Sequence, residues 1–399
     1  MKRILICIIA LAAITLQATA QEQEKKNEEG FLFTVIKENP ITPVKNQSST
    51  GTCWSFSSLG FMESELLRMG KSEYDLSEMF VVSRTYTDKA DKYIRLDGAL
   101  NFAQGGGFDD YLYVIRKYGM VPNQVMPGLN YGEDVHRHGE LTAVLTGIVE
   151  AVKKNPNRKL STAWKNAFQG ALDAYLGEIP ETFEYKGTTY TPISFAASLG
   201  FNPDDYVNIT SFTHHPFYTQ FALEIPDNWL WGTSYNVPME EMMSVIDHAI
   251  MEGYTVLWAS DVSEQGFGRN GIAMYPTTDP KEMIGSDQAR WLEMSATERS
   301  NAFRNLKAPV AEIKAITQEM RQEAYDNKQT TDDHGMQIYG IAKDQNGTKY
   351  YMVKNSWGDD AGNYKGLWYV TEKFVQYKTM DIQVHKNAIP REIKKKLNL

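Results

Sequence analysis

Two cysteines, Cys7 and Cys53, are all that the 399 residues contain, and the first lies in a segment that reads as a removable leader. A chain left with Cys53 alone can form no internal disulfide, so packing must hold its fold. The composition supplies that packing, with 42% apolar and 12% aromatic residues. Disorder is excluded at such values, and the length suits one large domain or two ordinary ones. The net charge of -9 offers no basic footprint, which excludes nucleic acid as a main partner.

Lys2 and Arg3 precede an apolar run from Ile4 to Leu16, and Ala18-Thr19-Ala20 supplies small residues where a signal peptidase would cut. Residues 1–20 are therefore expected to be a signal peptide, cleaved before Gln21. The run is short for a bilayer span, so no stable membrane anchor is expected. The mature chain, 21–399, would then be periplasmic or secreted.

Apolar spacing sets the local expectations. Phe56, Leu59, Met62, Leu66 and Met69 recur every three or four residues, with Gly70 as a stop, which predicts a helix opening at Cys53. Further helices are expected over 109–118, over 141–177 with a break at Asn155-Pro156-Asn157, over 239–252 and across 281–323 with Pro309 interrupting. A hairpin is expected around Lys186-Gly187. The end reads as strands: 334–343, a turn at Gln345-Asn346-Gly347, 349–355 and 366–371. Helices first and an antiparallel sheet afterwards give an α+β fold of two packed layers.

Cys53 carries the chemistry if anything does. A thiol attacks carbonyls as the thiolate, and a helix start and a neighbouring imidazole both favour that form. His334, preceded by Asp332-Asp333, stands at a strand start, and Asn355 closes the next strand before Ser356-Trp357-Gly358. A hairpin near Asn346 would bring Asn355 beside the ring, with Trp357 screening the contact from water. The Cys53 amide and the Gln47 side chain are candidate oxyanion donors. Taken singly, Cys53 reads equally as a small core residue, His334 as a structural histidine and Asn355 as a turn residue. Taken together, they point to a nucleophile, a base and an orienting group.

The segments Pro43–Gln47, Gly51–Phe56 and Val353–Gly358 resemble the papain-like cysteine peptidases. The separation of Cys53 and His334, 281 positions, is about twice that of the compact members. It resembles the bleomycin hydrolase and aminopeptidase C branch, as do Gly105–Asp109, Lys117–Pro122 and Pro180–Tyr185. The resemblance implies a helical subdomain and an antiparallel β-sheet subdomain with a cleft between them, and a large, mainly helical insertion at about 125–235. It implies Cys53 as nucleophile, His334 as general acid/base, Asn355 as orienting residue and Gln47 as oxyanion donor. Gly51, Gly105, Gly106 and Trp357 are the substrate-binding candidates. Peptides are the implied substrates, and no cofactor is implied. Members of the branch form hexamers, which leaves a homo-oligomer open here. They also carry a C-terminal arm that restricts them to amino termini. The chain ends at Lys394-Lys395-Lys396-Leu397-Asn398-Leu399 without a recognisable arm, so endopeptidase action stands beside aminopeptidase action. The alternatives are a silent peptide-binding protein and an amide hydrolase or transpeptidase using the same thiol.

The pairs His136/His138 and His214-His215 lack cysteine or carboxylate partners at ligand spacing, so no metal is expected. Lys394–Lys396 reads as a solvated helix end. Trp229, Trp231 and Tyr235 read as packing for the insertion.

Overall fold

The structure, a computed structural model, describes residues 30–278 and 293–399. The leader expected at 1–20 and the start of the helical stretch expected at 281 lie outside the described residues. Strand β1 (Thr34–Glu38) leads to helices α1 (Cys53–Arg68), α2 (Glu78–Arg95) and α3 (Asp109–Tyr118). Next come α4 (Gly139–Lys153), α5 (Ala163–Leu176), the hairpin β2 (Phe183–Tyr185) and β3 (Thr188–Tyr190), and α6 (Pro192–Leu199). The chain continues as β4 (Tyr206–Thr210), β5 (Gln220–Ala222), β6 (Thr233–Asn236), α7 (Met239–Met251), β7 (Val256–Ser260) and β8 (Ile272–Ala273). After α8 (Ala296–Arg304) and α9 (Gln318–Asp326) it ends as β9 (His334–Lys343), β10 (Lys349–Lys354), β11 (Leu367–Thr371), α10 (Glu372–Lys378), β12 (Thr379–His385) and α11 (Arg391–Leu397).

The sheet runs β5-β6-β4-β12-β7-β9-β10-β11-β8, with β1 also on β9. The fold is α+β as expected, but the sheet is mixed rather than wholly antiparallel: β4 pairs β6 and β11 pairs β8 in parallel. The 125–235 stretch also departs from expectation. It holds α4, α5 and α6, yet its last third gives β4, β5 and the start of β6 to the main sheet. The physical reason is that the short runs at 206–210 and 220–222 gain their pairing from β12 and β6, partners that no local pattern reveals.

Helix α1 is apolar or small almost all round, and residues 54 to 66 are all buried, as a central helix must be. It lies across β9, where glycine permits close approach. A Cβ at Gly335 would meet Ser57 Oγ at 2.7 Å and Trp54 Cα at 3.4 Å. One apolar cluster packs α1 against α2, α3 and the 139–199 helices, and a second packs α7, α10 and α11 around the sheet. The first residue of α1 and the first residue of β9 line one cavity. Among the described residues no helix is long and apolar enough to cross a membrane.

Candidate active site

Strand pairing fixes the histidine. His334 stands opposite Ser260 at the end of β7 and is buried. Its Nε2 lies 2.7 Å from Asn355 Oδ1, and the same oxygen accepts from the Ser356 backbone N–H at 2.8 Å. Two contacts on that atom, one from an obligate donor, identify it as the amide oxygen. The imidazole therefore donates from Nε2, and in the neutral ring Nδ1 keeps its lone pair. Trp357 covers the ring face, with centroids 4.8 Å apart and planes 31° apart. Trp368 and Phe267 back it in turn.

Cys53 opens α1, whose start has no side-chain cap. Its sulfur is within hydrogen-bonding reach of the Gly335 and Trp54 backbone N–H groups. Cys53 and His334 line one cavity of about 180 Å³, together with Gly51, Gly105 and Gly106. Five of the expected site residues thus meet in one place. Two others sit elsewhere. Trp357 lies against the far side of the His334 ring, not among the residues that line the cavity. Gln47 is buried behind the cleft, with Nε2 donating to Thr50 O at 2.8 Å and Oε1 accepting from Ser356 Oγ at 2.5 Å.

The glycine pair is a packing requirement. A Cβ on Gly105 would fall 1.8 Å from Asp227 Oδ2, and one on Gly106 would fall 2.4 Å from Asp110 Oδ2 and 2.8 Å from the Trp54 ring. Gln104 ties this segment to the start of α1: its carbonyl accepts from Trp54 Nε1 at 2.9 Å and its Oε1 accepts from the Gly51 N–H at 2.6 Å.

The electrostatics overturn one expectation. A helix start beside an imidazole was expected to lower the thiol pKa at rest. Burial instead pushes the Cys53 thiol up to about 12; the Gly335 and Trp54 amides pull it down, while Asp332 and Asp227 push it further up. Burial likewise pushes His334 down to about 4, against the Asn355 hydrogen bond. Cys53 keeps partial exposure along the cleft, yet its sulfur is deep enough for desolvation to dominate. Neither group charges readily at rest.

Sequence reasoning missed most of the acidic wall of the cavity. Asp109, Asp227, Asp332, Asp333 and Asp381 line it with Cys53. The Asp332-Asp333 pair was visible before His334; the others come from three distant segments and carried no local signal. One of the histidine pairs also needs revision. His138 is buried with neither ring nitrogen bonded, a packing residue. His214 and His215, however, do have a carboxylate partner that sequence spacing hid: Glu224 contacts them at 2.9 and 3.1 Å, and the three donor atoms lie within 4.8 Å of one another. Trp229 is buried, donating to Asp110 Oδ2 at 2.7 Å, whereas Trp231 is exposed beneath Lys92.

Residues 4–301 and 310–399 match the model of the Peptidase C1-like family. The chain belongs to that family. This peptidase is 23% identical over 396 residues to aminopeptidase G of Lactobacillus delbrueckii subsp. lactis, covering 89% of this chain and 83% of that protein. It is 24% identical over 399 residues to bleomycin hydrolase of Mus musculus, covering 88% and 82%. Among solved structures it resembles PepW of Lactobacillus rhamnosis HN001, with a TM-score of 0.69 at 20% identity over 97% of this chain and 91% of that one. The family makes it a cysteine-type peptidase, and the structural likeness gives the papain-like fold.

Proposed function

We propose that this peptidase hydrolyses peptide bonds of bleomycin hydrolase or aminopeptidase substrates through Cys53, His334 and Asn355. His334 Nδ1 takes the thiol proton as sulfur attacks the scissile carbonyl, and the resulting imidazolium is steadied by the Nε2–H bond to Asn355. The tetrahedral oxyanion receives the Cys53 backbone N–H. His334 then protonates the leaving amine. The acyl-enzyme is opened by water, with His334 again as base. One observation carries the reading: Cys53 and His334 share one cavity while the far ring nitrogen is held at 2.7 Å by Asn355. That arrangement leaves only the near nitrogen free to accept a proton.

The test is peptide-library cleavage with mass-spectrometric mapping of products, with and without a thiol-directed inhibitor. Cleavage by Cys53→Ala above background removes the assignment. The leader reading is proposed alongside: Lys2-Arg3, the apolar run and Ala18-Thr19-Ala20 support export of residues 21–399. N-terminal sequencing of protein recovered outside the cytoplasm should begin at Gln21; a retained Met1 overturns it.

A further inference from the structure

We propose that His214, His215 and Glu224 form a binding site for a divalent transition-metal ion, Zn²⁺ foremost, on the outer side of the cleft wall. The inference is independent of the peptidase reading and adds a metal site to it.

The three side chains come from the two stretches that flank β5, residues 211–219 and 223–232, and converge on one point. His214 Nε2 lies 2.9 Å from Glu224 Oε2, and His215 Nε2 lies 3.1 Å from Glu224 Oε1. All three donor atoms fall within 4.8 Å of one another. Two ligands about 2.1 Å from one Zn²⁺ at a tetrahedral angle stand roughly 3.4 Å apart. Each imidazole–carboxylate pair is therefore within about half an ångström of that spacing, and the wider gap closes by torsion of side chains at the surface. Among the described residues the Glu224 carboxylate pairs with these two rings and with no lysine or arginine.

The surrounding elements hold the ligands in place. Asn236, buried at the end of β6, clamps the backbone that carries both histidines. Its Oδ1 accepts from the Phe212 N–H at 3.0 Å, and its Nδ2 donates to the Phe212 and His215 carbonyls at 2.7 and 2.8 Å. His215 stacks on Phe221 of β5 with centroids 4.2 Å apart, and His214 stands edge-on to the same ring at 5.2 Å. Tyr325 of α9 donates to the Glu224 carbonyl at 2.8 Å and lies beside the His214 ring. Ligands positioned in this way lose little freedom when they bind.

A metal-bound histidine also needs a partner for its other ring nitrogen. The Gln322 amide of α9 faces His214 Nδ1, with Oε1 at 3.4 Å and Nε2 at 3.2 Å. Its orientation is set by the Thr213 N–H on Oε1 at 2.6 Å and by Asp326 Oδ1 on Nε2 at 2.9 Å. Gln322 Oε1 can thus take the Nδ1 proton in the tautomer that leaves His214 Nε2 to the ion.

Two imidazoles and one carboxylate are a donor set that Zn²⁺ accepts with one position left to water, whereas Mg²⁺ and Ca²⁺ prefer oxygen alone. The placement gives the site a use. Leu223 and Ile225, on either side of Glu224, both line the cavity that holds Cys53. An ion tying Glu224 to His214 and His215 fastens that stretch of wall from outside.

The experiment takes the untagged full chain carrying Cys53→Ala, strips it with EDTA and titrates Zn²⁺ by calorimetry; the substitution takes away the thiol as a rival ligand. One equivalent should bind, the melting temperature should rise by a few degrees, and Mg²⁺ should do neither. His214→Ala and Glu224→Gln, added singly, should each weaken zinc binding at least tenfold. Both positions are exposed, and metal-free melting temperatures matching the parent show that the variants fold. Diffraction at the zinc edge should place the ion among the three side chains, a result that needs no variant. The absence of saturable binding at tenfold excess, an affinity unchanged in either variant, or an ion located elsewhere overturns the site. Cleavage is not read, so each of these results leaves the peptidase reading as it stands.

Discussion

Two groups of acids lie on opposite sides of α1, and they are treated differently. Behind the helix, Lys45 meets Glu63 at 3.0 Å and Glu78 and Asp75 at 2.7 Å each. Burial works against the Lys45 charge, but these carboxylates outweigh it and hold its pKa well above the ordinary value. In front, the cavity acids surround open space with hydroxyl and amide donors only. The first group is complete within the protein, so its charges fasten α1 to α2. The second has no lysine or arginine lining its cavity among the described residues, and it lies beside the thiol. Acidic residues alone would not separate the two; a lysine bonded directly to the acids does.

The largest effect should come from the reacting wall itself. Cys53→Ala should lower kcat by at least about 10⁴-fold, roughly 5.5 kcal/mol of barrier, with an unchanged melting temperature. Turnover near the wild-type level would detach the cavity from catalysis and empty the comparison. Next, Lys45→Met should destabilise the fold by about 3–5 kcal/mol, because it leaves buried acids unpaired, while sparing the rate constant of the folded fraction. The deficit should shrink as pH falls below 7, since burial already pushes Glu78 up to about 7 and the unpaired acid will take a proton. Denaturant titration at two pH values measures this, and a pH-independent loss would refute it.

Asn355→Ala should reduce kcat by about 10- to 100-fold, or ~1.4–2.8 kcal/mol, because it orients the ring without reacting. A loss as large as that of Cys53→Ala would mean that Asn355 does more than orient. The smallest effect has the opposite sign. Burial pushes Asp381 up to about 7, against about 3.9 unfolded. A carboxyl raised in this way contributes stability that is present below the unfolded pKa and lost as pH rises through the folded one. Asp381→Asn should therefore raise the melting temperature at pH 8 by a few degrees and change little at pH 4. Lysine-like stabilisation lost on both sides of that window would instead place Asp381 with the Lys45 group.

Much of the reacting wall was legible because each member announces itself locally. Cys53 heads an apolar helical repeat, β9 begins at His334 as the strand pattern requires, and Asn355 follows β10 at the next turn. The acidic wall was not legible, since its members are brought together by sheet order, which no window of sequence contains. The strand that carries Asp381 did leave a trace. In Thr379–His385 the apolar residues Met380, Ile382 and Val384 alternate with polar ones, a period of two that marks a strand. Its other face carries Thr379, Asp381, Gln383 and His385. The structure explains it: Gln383 accepts from Tyr111 Oη at 2.6 Å and donates to Asn208 Oδ1 at 2.7 Å, so that face serves a hydrogen-bonded seam between the two layers.

The place of β12 between β7 and β4 has a temporal consequence. During synthesis the sulfur emerges hundreds of residues before the imidazole, and the strand that joins the two halves of the sheet comes later still. A growing chain therefore carries a thiol with no base and half a groove with no floor. Because contacts so distant in sequence form slowly, the groove is completed only after β12 has joined β7 and β4.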